Sequence, residues 1–268
     1  VANLLNSPKY ANNWTNYWDQ TLMGRTYRAQ TLDKVAWKQW LSKQFSNNVP
    51  YNRFVFDLIS AEGINSTGGN QAKAVGLKNA PGQMMIDSDN KHALLIEDGA
   101  RTPQGVVNGA VNWTLKYQNT PADLSGNASK IFLGVQIQCA QCHDHKTEKW
   151  KQDDFRKFTA CFVNARPKPV GKYEKGMIRR VDLEDVKTPF VARNKKQASR
   201  NEYINQPPAA IDGTDFSNSD NRRKALAEWM TSPQNPWFAQ AIVNRMWSHF
   251  LGRGFIEPID DFRPSNPA

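Results

Sequence analysis

Apolar residues recur at three- and four-residue steps through the first sixty positions, the period of amphipathic helices. Leu4, Leu5, Tyr10, Trp14, Tyr17, Trp18 and Leu22 make one stripe, with Ser7-Pro8 as a start signal inside it. A second helix is predicted from Thr31, taken as its N-cap, through Val35, Trp37, Trp40, Leu41 and Phe45; the run 47–50 (NNVP) breaks it. Phe54, Val55, Leu58 and Ile59 give a third stripe over 51–61. From 62 to about 120 the pattern weakens, and glycines and prolines cut it into loops and short segments. A loop-rich stretch of that length is unusual in a compact domain, and such stretches often cover a ligand. Helix returns at Pro121 and is predicted to run through Ile131, Phe132, Val135 and Ile137 into a pair of cysteines. Another starts near Gln152, with Phe155, Phe158, Cys161 and Phe162 on one face. The segment 166–219 is polar and proline-marked, with room for one or two short strands. The last part is helical again, 222–230 and then from Asn235-Pro236 to Leu251, closed by Gly252 and Gly254.

This pattern predicts a mainly α protein with long irregular loops. Its longest apolar runs, such as 131–135, fall far short of the ~20 residues a membrane helix needs, so no transmembrane span is expected in this chain. No leader pattern opens the sequence, which reads as a mature or trimmed chain. Charge adds a preference for anionic partners: 35 Lys and Arg against 25 Asp and Glu give a net +10. The bases are scattered and no nucleic-acid-binding motif accompanies them, which argues against nucleic acid and leaves anionic lipid or an acidic docking face on a redox partner protein as the expected partner.

Three cysteines cannot staple a chain of 268 residues, but the spacing of two of them carries chemistry. Residues 139–143 read Cys-Ala-Gln-Cys-His, the CxxCH attachment signature of c-type haem. Two thiols one helical turn apart reach neighbouring vinyl groups of the porphyrin, and the next residue projects towards the iron. The motif therefore predicts one covalently attached haem c held by Cys139 and Cys142, with His143 as proximal iron ligand. Zinc held by both thiols with His143 and His145, and a redox dithiol, are the competing readings; neither has its usual sequence context. For the opposite axial position the candidates are His92, His249 and Met177, with Met84 and Met85 also in loop-like sequence. His145 is too close to His143 to reach the far face of the same ring, and a partly buried structural role competes with ligation at His249. Asp144 and Lys146 are read equally as propionate contacts or as solvated charges. Cys161, on an apolar face, is expected to be a buried inert thiol, and Trp14/Trp18 and Trp37/Trp40 to be core. Asn13, Asn65, Asn112 and Asn127 each open an Asn-x-Ser/Thr triplet, a pattern of little weight in Asn-rich sequence.

The run 131–146 (IFLGVQIQCAQCHDHK), followed by 148–155 (EKWKQDDF), resembles the signature of the planctomycete-type cytochrome c-like domains. The runs 4–11 (LLNSPKYA), 14–18 (WTNYW) and 50–54 (PYNRF) resemble earlier parts of that domain. The runs 222–229, 235–239, 243–254 and 260–267 resemble the opening of the companion domain that usually follows it. The resemblance implies a cytochrome c-like domain over 1–166, an irregular connecting segment over 167–219, and a truncated start of the companion domain over 220–268. It also implies a periplasmic or otherwise extracytoplasmic location, where thioether attachment takes place. One-electron transfer to a redox partner is the expected function, with an accessory role in a membrane-attached electron-transfer complex as the alternative. No catalytic acid/base arrangement stands out to suggest an enzyme with its own substrate.

Overall fold

The structure, a computed structural model, describes residues 5, 7–24, 31–68, 98–102, 105–118, 120–145, 148–172, 178–187 and 201–266. Among these residues the α-helices are α1 (Pro8–Met23), α2 (Lys34–Ser46), α3 (Tyr51–Ile59), α4 (Val111–Lys116), α5 (Pro121–Leu133), α6 (Gln152–Ala160), α7 (Asn201–Ile204), α8 (Arg222–Met230) and α9 (Pro236–Leu251). A 3-10 turn covers Ile137–Gln141. Five short strands complete the described elements: β1 (Gly63–Ile64), β2 (Arg101–Thr102), β3 (Gly105–Val106), β4 (Ala165–Pro169) and β5 (Val181–Asp185). The expected mainly α composition is present, and no described helix is long and apolar enough to cross a membrane.

The chain divides into two compact units that interleave along the sequence. The first comprises Val1–Pro50, Ala61–Lys116 and Pro167–Glu184; the second comprises Tyr51–Ser60, Tyr117–Arg166 and Asp185–Ala268. Compact units and chain order thus follow different partitions, because α3 and the segment 167–184 each belong to a different unit from the segments that flank them in sequence.

In the first unit α1 starts where Ser7 and Pro8 predict: the Ser7 hydroxyl accepts from the Lys9 amide at 3.3 Å. α2 starts two residues later than a cap at Thr31 suggests. Asp33 is the cap, its carboxylate accepting from the Val35 and Ala36 amides at 3.0 Å each. A carboxylate at that position also opposes the helix dipole, which a threonine hydroxyl would not. Trp18, Trp37 and Trp40 are core, as expected, whereas Trp14 is only half-buried; Trp37 and Trp40 stack at 5.6 Å and the Trp37 indole donates to Asp19 at 2.9 Å. Helix α4 carries no clear period in the sequence because all but one of its residues are buried. Gly109, just before it, has to be glycine: a Cβ there would lie 2.1 Å from the Ala36 carbonyl oxygen.

A buried amide network ties this unit together. Asn112 accepts from the Asp33 amide at 2.8 Å and donates to the Gly109 carbonyl at 3.0 Å. Asn65 donates to the Thr31 carbonyl at 2.7 Å and accepts from the Val181 amide at 2.7 Å, which fixes β5 beside β1 with Gly63 opposite Leu183. Both asparagines are fully buried, so neither presents its amide for glycosylation in the folded chain.

The second unit is a helical cluster. Phe54, Val55, Leu58 and Ile59 of α3, Phe132 and Leu133 of α5, and Phe155 and Phe158 of α6 are buried in it. Tyr51 stacks on Phe238 at 5.1 Å, and Ser125 and Thr159 share a buried hydroxyl hydrogen bond of 2.7 Å between α5 and α6. Arg223 of α8 is fully buried; its guanidinium donates to Asp185 at 2.5 and 3.1 Å and to the Ile59 carbonyl at 3.0 Å. α9 closes on Gly252 in the left-handed conformation (φ 82°), and its outer face exposes Val243, Trp247, Phe250 and Leu251.

Candidate functional site

α5 does not continue into the cysteines as its apolar pattern suggests. It ends at Leu133, and Gly134 takes the left-handed conformation (φ 67°) with its amide bonded to the Ser129 carbonyl. A side chain at 134 would collide with the Phe262 ring, 2.1 Å from the ideal Cβ. Val135 and Ile137, which extend the apolar stripe, are buried after the chain has turned. Periodicity registers burial, and here burial outlasts the helix.

The turn leads into Ile137–Gln141, a 3-10 helix, with Cys142 as its C-cap. Ile137 and Ala140 point inward and are fully buried, whereas Cys139, Cys142 and His143 are exposed. The apolar residues anchor the turn and thereby hand all three motif side chains to the surface. Both cysteines are free thiols. Beyond them the backbone is folded tightly on itself: the His145 amide donates to the Trp150 carbonyl at 2.8 Å, closing the loop between the motif and α6.

The two histidines of this loop are chemically unlike. His143 Nδ1 lies 2.7 Å from the Asp144 carbonyl oxygen; a carbonyl only accepts, so Nδ1 carries a proton, and in the neutral ring Nε2 keeps its lone pair. His145 Nδ1 accepts from the Glu148 amide at 3.1 Å, so in the neutral ring its proton sits on Nε2. His143 therefore presents a ligating nitrogen and His145, while that bond holds, does not. A zinc site drawing on both imidazoles would have to break it. Among the described residues, no group of three or more His, Cys, Asp and Glu converges in a way that could hold a metal ion. The donor set does fit haem attachment: two free exposed thiols three positions apart, then an exposed imidazole in the tautomer that ligates through Nε2.

Neighbouring groups set the frame. The Asp144 carboxylate accepts from the Gln152 amide at 2.9 Å, at the first residue of α6. The Gln152 side chain donates to the Gln141 carbonyl at 3.0 Å. Asp153 and Asp154 lie in the same first turn, and Asp154 accepts from the Lys151 amide at 2.8 Å. Behind the turn, Tyr203 of α7 is buried and hydrogen-bonded to the Gln141 side chain; burial, aided by Glu202, pushes its phenol above the usual range. Sequence patterning missed Tyr203 and Gln152, whose parts depend on the chain folding back. Asp144 is solvated and tied to the backbone at the same time.

The remaining expectations separate cleanly. Cys161 is fully buried at the end of α6, and desolvation pushes its thiol far above the usual range, as expected of an inert core cysteine. His249 is exposed rather than partly buried; it sits in the last turn of α9, its ring edge-on to Phe250 at 5.1 Å. His92, Met177, Met84, Met85 and Lys146 lie outside the described residues.

Comparison with known proteins agrees with the resemblance at the level of family. None of the curated proteins and none of the solved structures matches the chain. Residues 222–268 match the PSD1 model, described as a protein of unknown function (DUF1553). Residues 1–167, more than half of the chain, match the PSCyt2 model, described as a protein of unknown function (DUF1549), and the chain belongs to that family.

Proposed function

We propose that this chain is an extracytoplasmic c-type haem protein that carries out one-electron transfer. The observation that carries the reading is the pairing of two free, exposed thiols on one turn with an adjacent imidazole whose Nε2 lone pair is available. Cys139 and Cys142 would hold the group through thioether bonds, and His143 would take one axial position through Nε2. A haem bound there would supply cycling of iron between the ferrous and ferric states. The chain's own contribution is rigidity: buried Ile137 and Ala140 seat the turn, and the loop bond from His145 to Trp150 keeps it closed. A basic surface, net +10, would steer an acidic partner face at rates that fall with salt.

The test is the intact mass of the chain produced in a host with cytochrome c maturation, read with a pyridine haemochrome spectrum. A mass raised by one haem, lost in Cys139→Ser with Cys142→Ser, is the expected result. A mass equal to the bare polypeptide overturns the reading.

The accessory-subunit alternative draws on one further observation. Val243, Trp247, Phe250 and Leu251 form a contiguous exposed apolar stripe on α9, of the kind that marks an interaction face rather than scattered surface apolar residues. Co-purification with electron-transfer partners in fixed stoichiometry, weakened by Trp247→Ser, is its expected signature.

A further inference from the structure

Asp144 bonds in two directions at once. Its main-chain carbonyl takes the Nδ1 proton of His143 at 2.7 Å, and its carboxylate receives the Gln152 amide at 2.9 Å. An exposed histidine is ordinarily free to turn about its χ angles and to exchange tautomers, so a carbonyl controls it only if that carbonyl is itself held still. The amide of Gln152 does the holding. It is the first helical residue of α6, where no intrahelical acceptor exists for its N–H, and the carboxylate fills that vacancy in a geometry the helix dipole favours. The Gln152 side chain closes the clasp on the opposite side by donating to the Gln141 carbonyl at 3.0 Å, within the 3-10 turn that bears Cys139. The motif and the start of α6 are therefore joined at both ends.

We infer that Asp144 is the positioning residue for His143: anchored on the first turn of α6, it locks the neutral imidazole as the Nδ1–H tautomer and so leaves the lone pair on Nε2. The meaning of this for iron ligation rests on the haem reading; the lock itself is a property of the haem-free chain. A carbonyl held against Nδ1–H raises the basicity of Nε2, so losing it makes the histidine a weaker electron donor.

The experiment is nitrogen NMR of the haem-free full chain at a pH where the imidazoles are neutral, reading the tautomer of His143. The wild type is expected to show Nδ1–H. Asp144→Ala is expected to give a mixture of tautomers, and Asp144→Asn, which keeps an acceptor oxygen, to retain the wild-type signal. Gln152→Pro provides a second route. Proline is well accepted at a first helical position, and Lys151 before it is already extended (ψ 159°), yet the N–H is gone. It should behave as Asp144→Ala does, whereas Gln152→Ala should leave the tautomer unchanged. Circular dichroism checks that each variant folds.

A purely structural Asp144 would lower stability without moving the tautomer. An Nε2–H signal in the wild type, or an unchanged signal in both Asp144→Ala and Gln152→Pro, overturns the inference. Failure of haem attachment would appear in the mass of the wild type instead, so the two readings fail separately. In loaded protein, the reduction potential is expected to rise in Asp144→Ala and Gln152→Pro and to hold in Asp144→Asn.

Discussion

Two polar clusters of the second unit satisfy their hydrogen bonds in opposite ways. Around Arg223 the charges are out of water: the guanidinium is fully buried, Asp185 nearly so, and the Ile59 carbonyl takes one of the remaining donors. Around His143 the side chains are in water, and order comes from backbone partners supplied by the Asp144 carbonyl, the Glu148 amide and the first turn of α6. A buried pair is held by the penalty for separating it, whereas an exposed motif is held by local backbone geometry and remains open to chemistry. The first arrangement suits architecture, the second a ligand.

The contrast can be broken most forcefully at Arg223. Arg223→Ala strands the Asp185 carboxylate in the interior and is expected to cost about 3–5 kcal/mol in urea unfolding. Replacing Arg223 and Asp185 together by leucine should recover most of that loss, because no unpaired charge is left behind. An Arg223→Ala variant of wild-type stability would mean that water reaches this site.

Gly134→Ala comes next. It puts a Cβ at positive φ against the Phe262 ring, and crowding of that kind typically costs about 1–3 kcal/mol. The same change should alter the His143 NMR signals, since Gly134 determines where α5 stops and the motif turn begins.

A smaller effect follows from Tyr117, whose phenol is pushed up from 10.0 to about 12 by burial, with Asp123 adding to the rise. The folded state thus holds this proton more tightly than the unfolded one. Its contribution is complete below pH 10 and is lost as pH rises to about 12, so thermal midpoints should fall across that window.

The smallest effect belongs to the motif. In haem-free chain, Cys139→Ser with Cys142→Ser should change stability by no more than about 0.5 kcal/mol, the usual range for surface positions. Alkylation should separate the two environments directly. Cys139 and Cys142 should react in the native protein, and Cys161 only after unfolding, its thiol being buried and pushed upward.

Much of the helical framework was legible beforehand because its signals are local. Ser7-Pro8 opens α1, Asn235-Pro236 opens α9 and Gly252 closes it, each through contacts within one turn of the chain. The misreadings have a common origin. At Thr31 a good capping residue stands near a better one, since Asp33 brings a charge and is itself held by Asn112 from far along the chain. At Val135 and Ile137 the apolar period outruns the helix because those side chains stay buried after the backbone has turned at Gly134. α4 was hidden because a helix buried on nearly every side has no polar face to mark its period.

For the site, the sequence by itself determined which atoms are available: two thiols and an imidazole at a spacing suited to one porphyrin. Spacing is a covalent property of the chain and needs no fold to be read. The apolar face around Cys161 likewise marked the cysteine that is shut away, but only the tertiary structure decided which of two neighbouring histidines offers a lone pair and how α6 and Tyr203 brace the turn. Those outcomes depend on hydrogen bonds and burial created when separate segments meet, and a local residue pattern does not encode them.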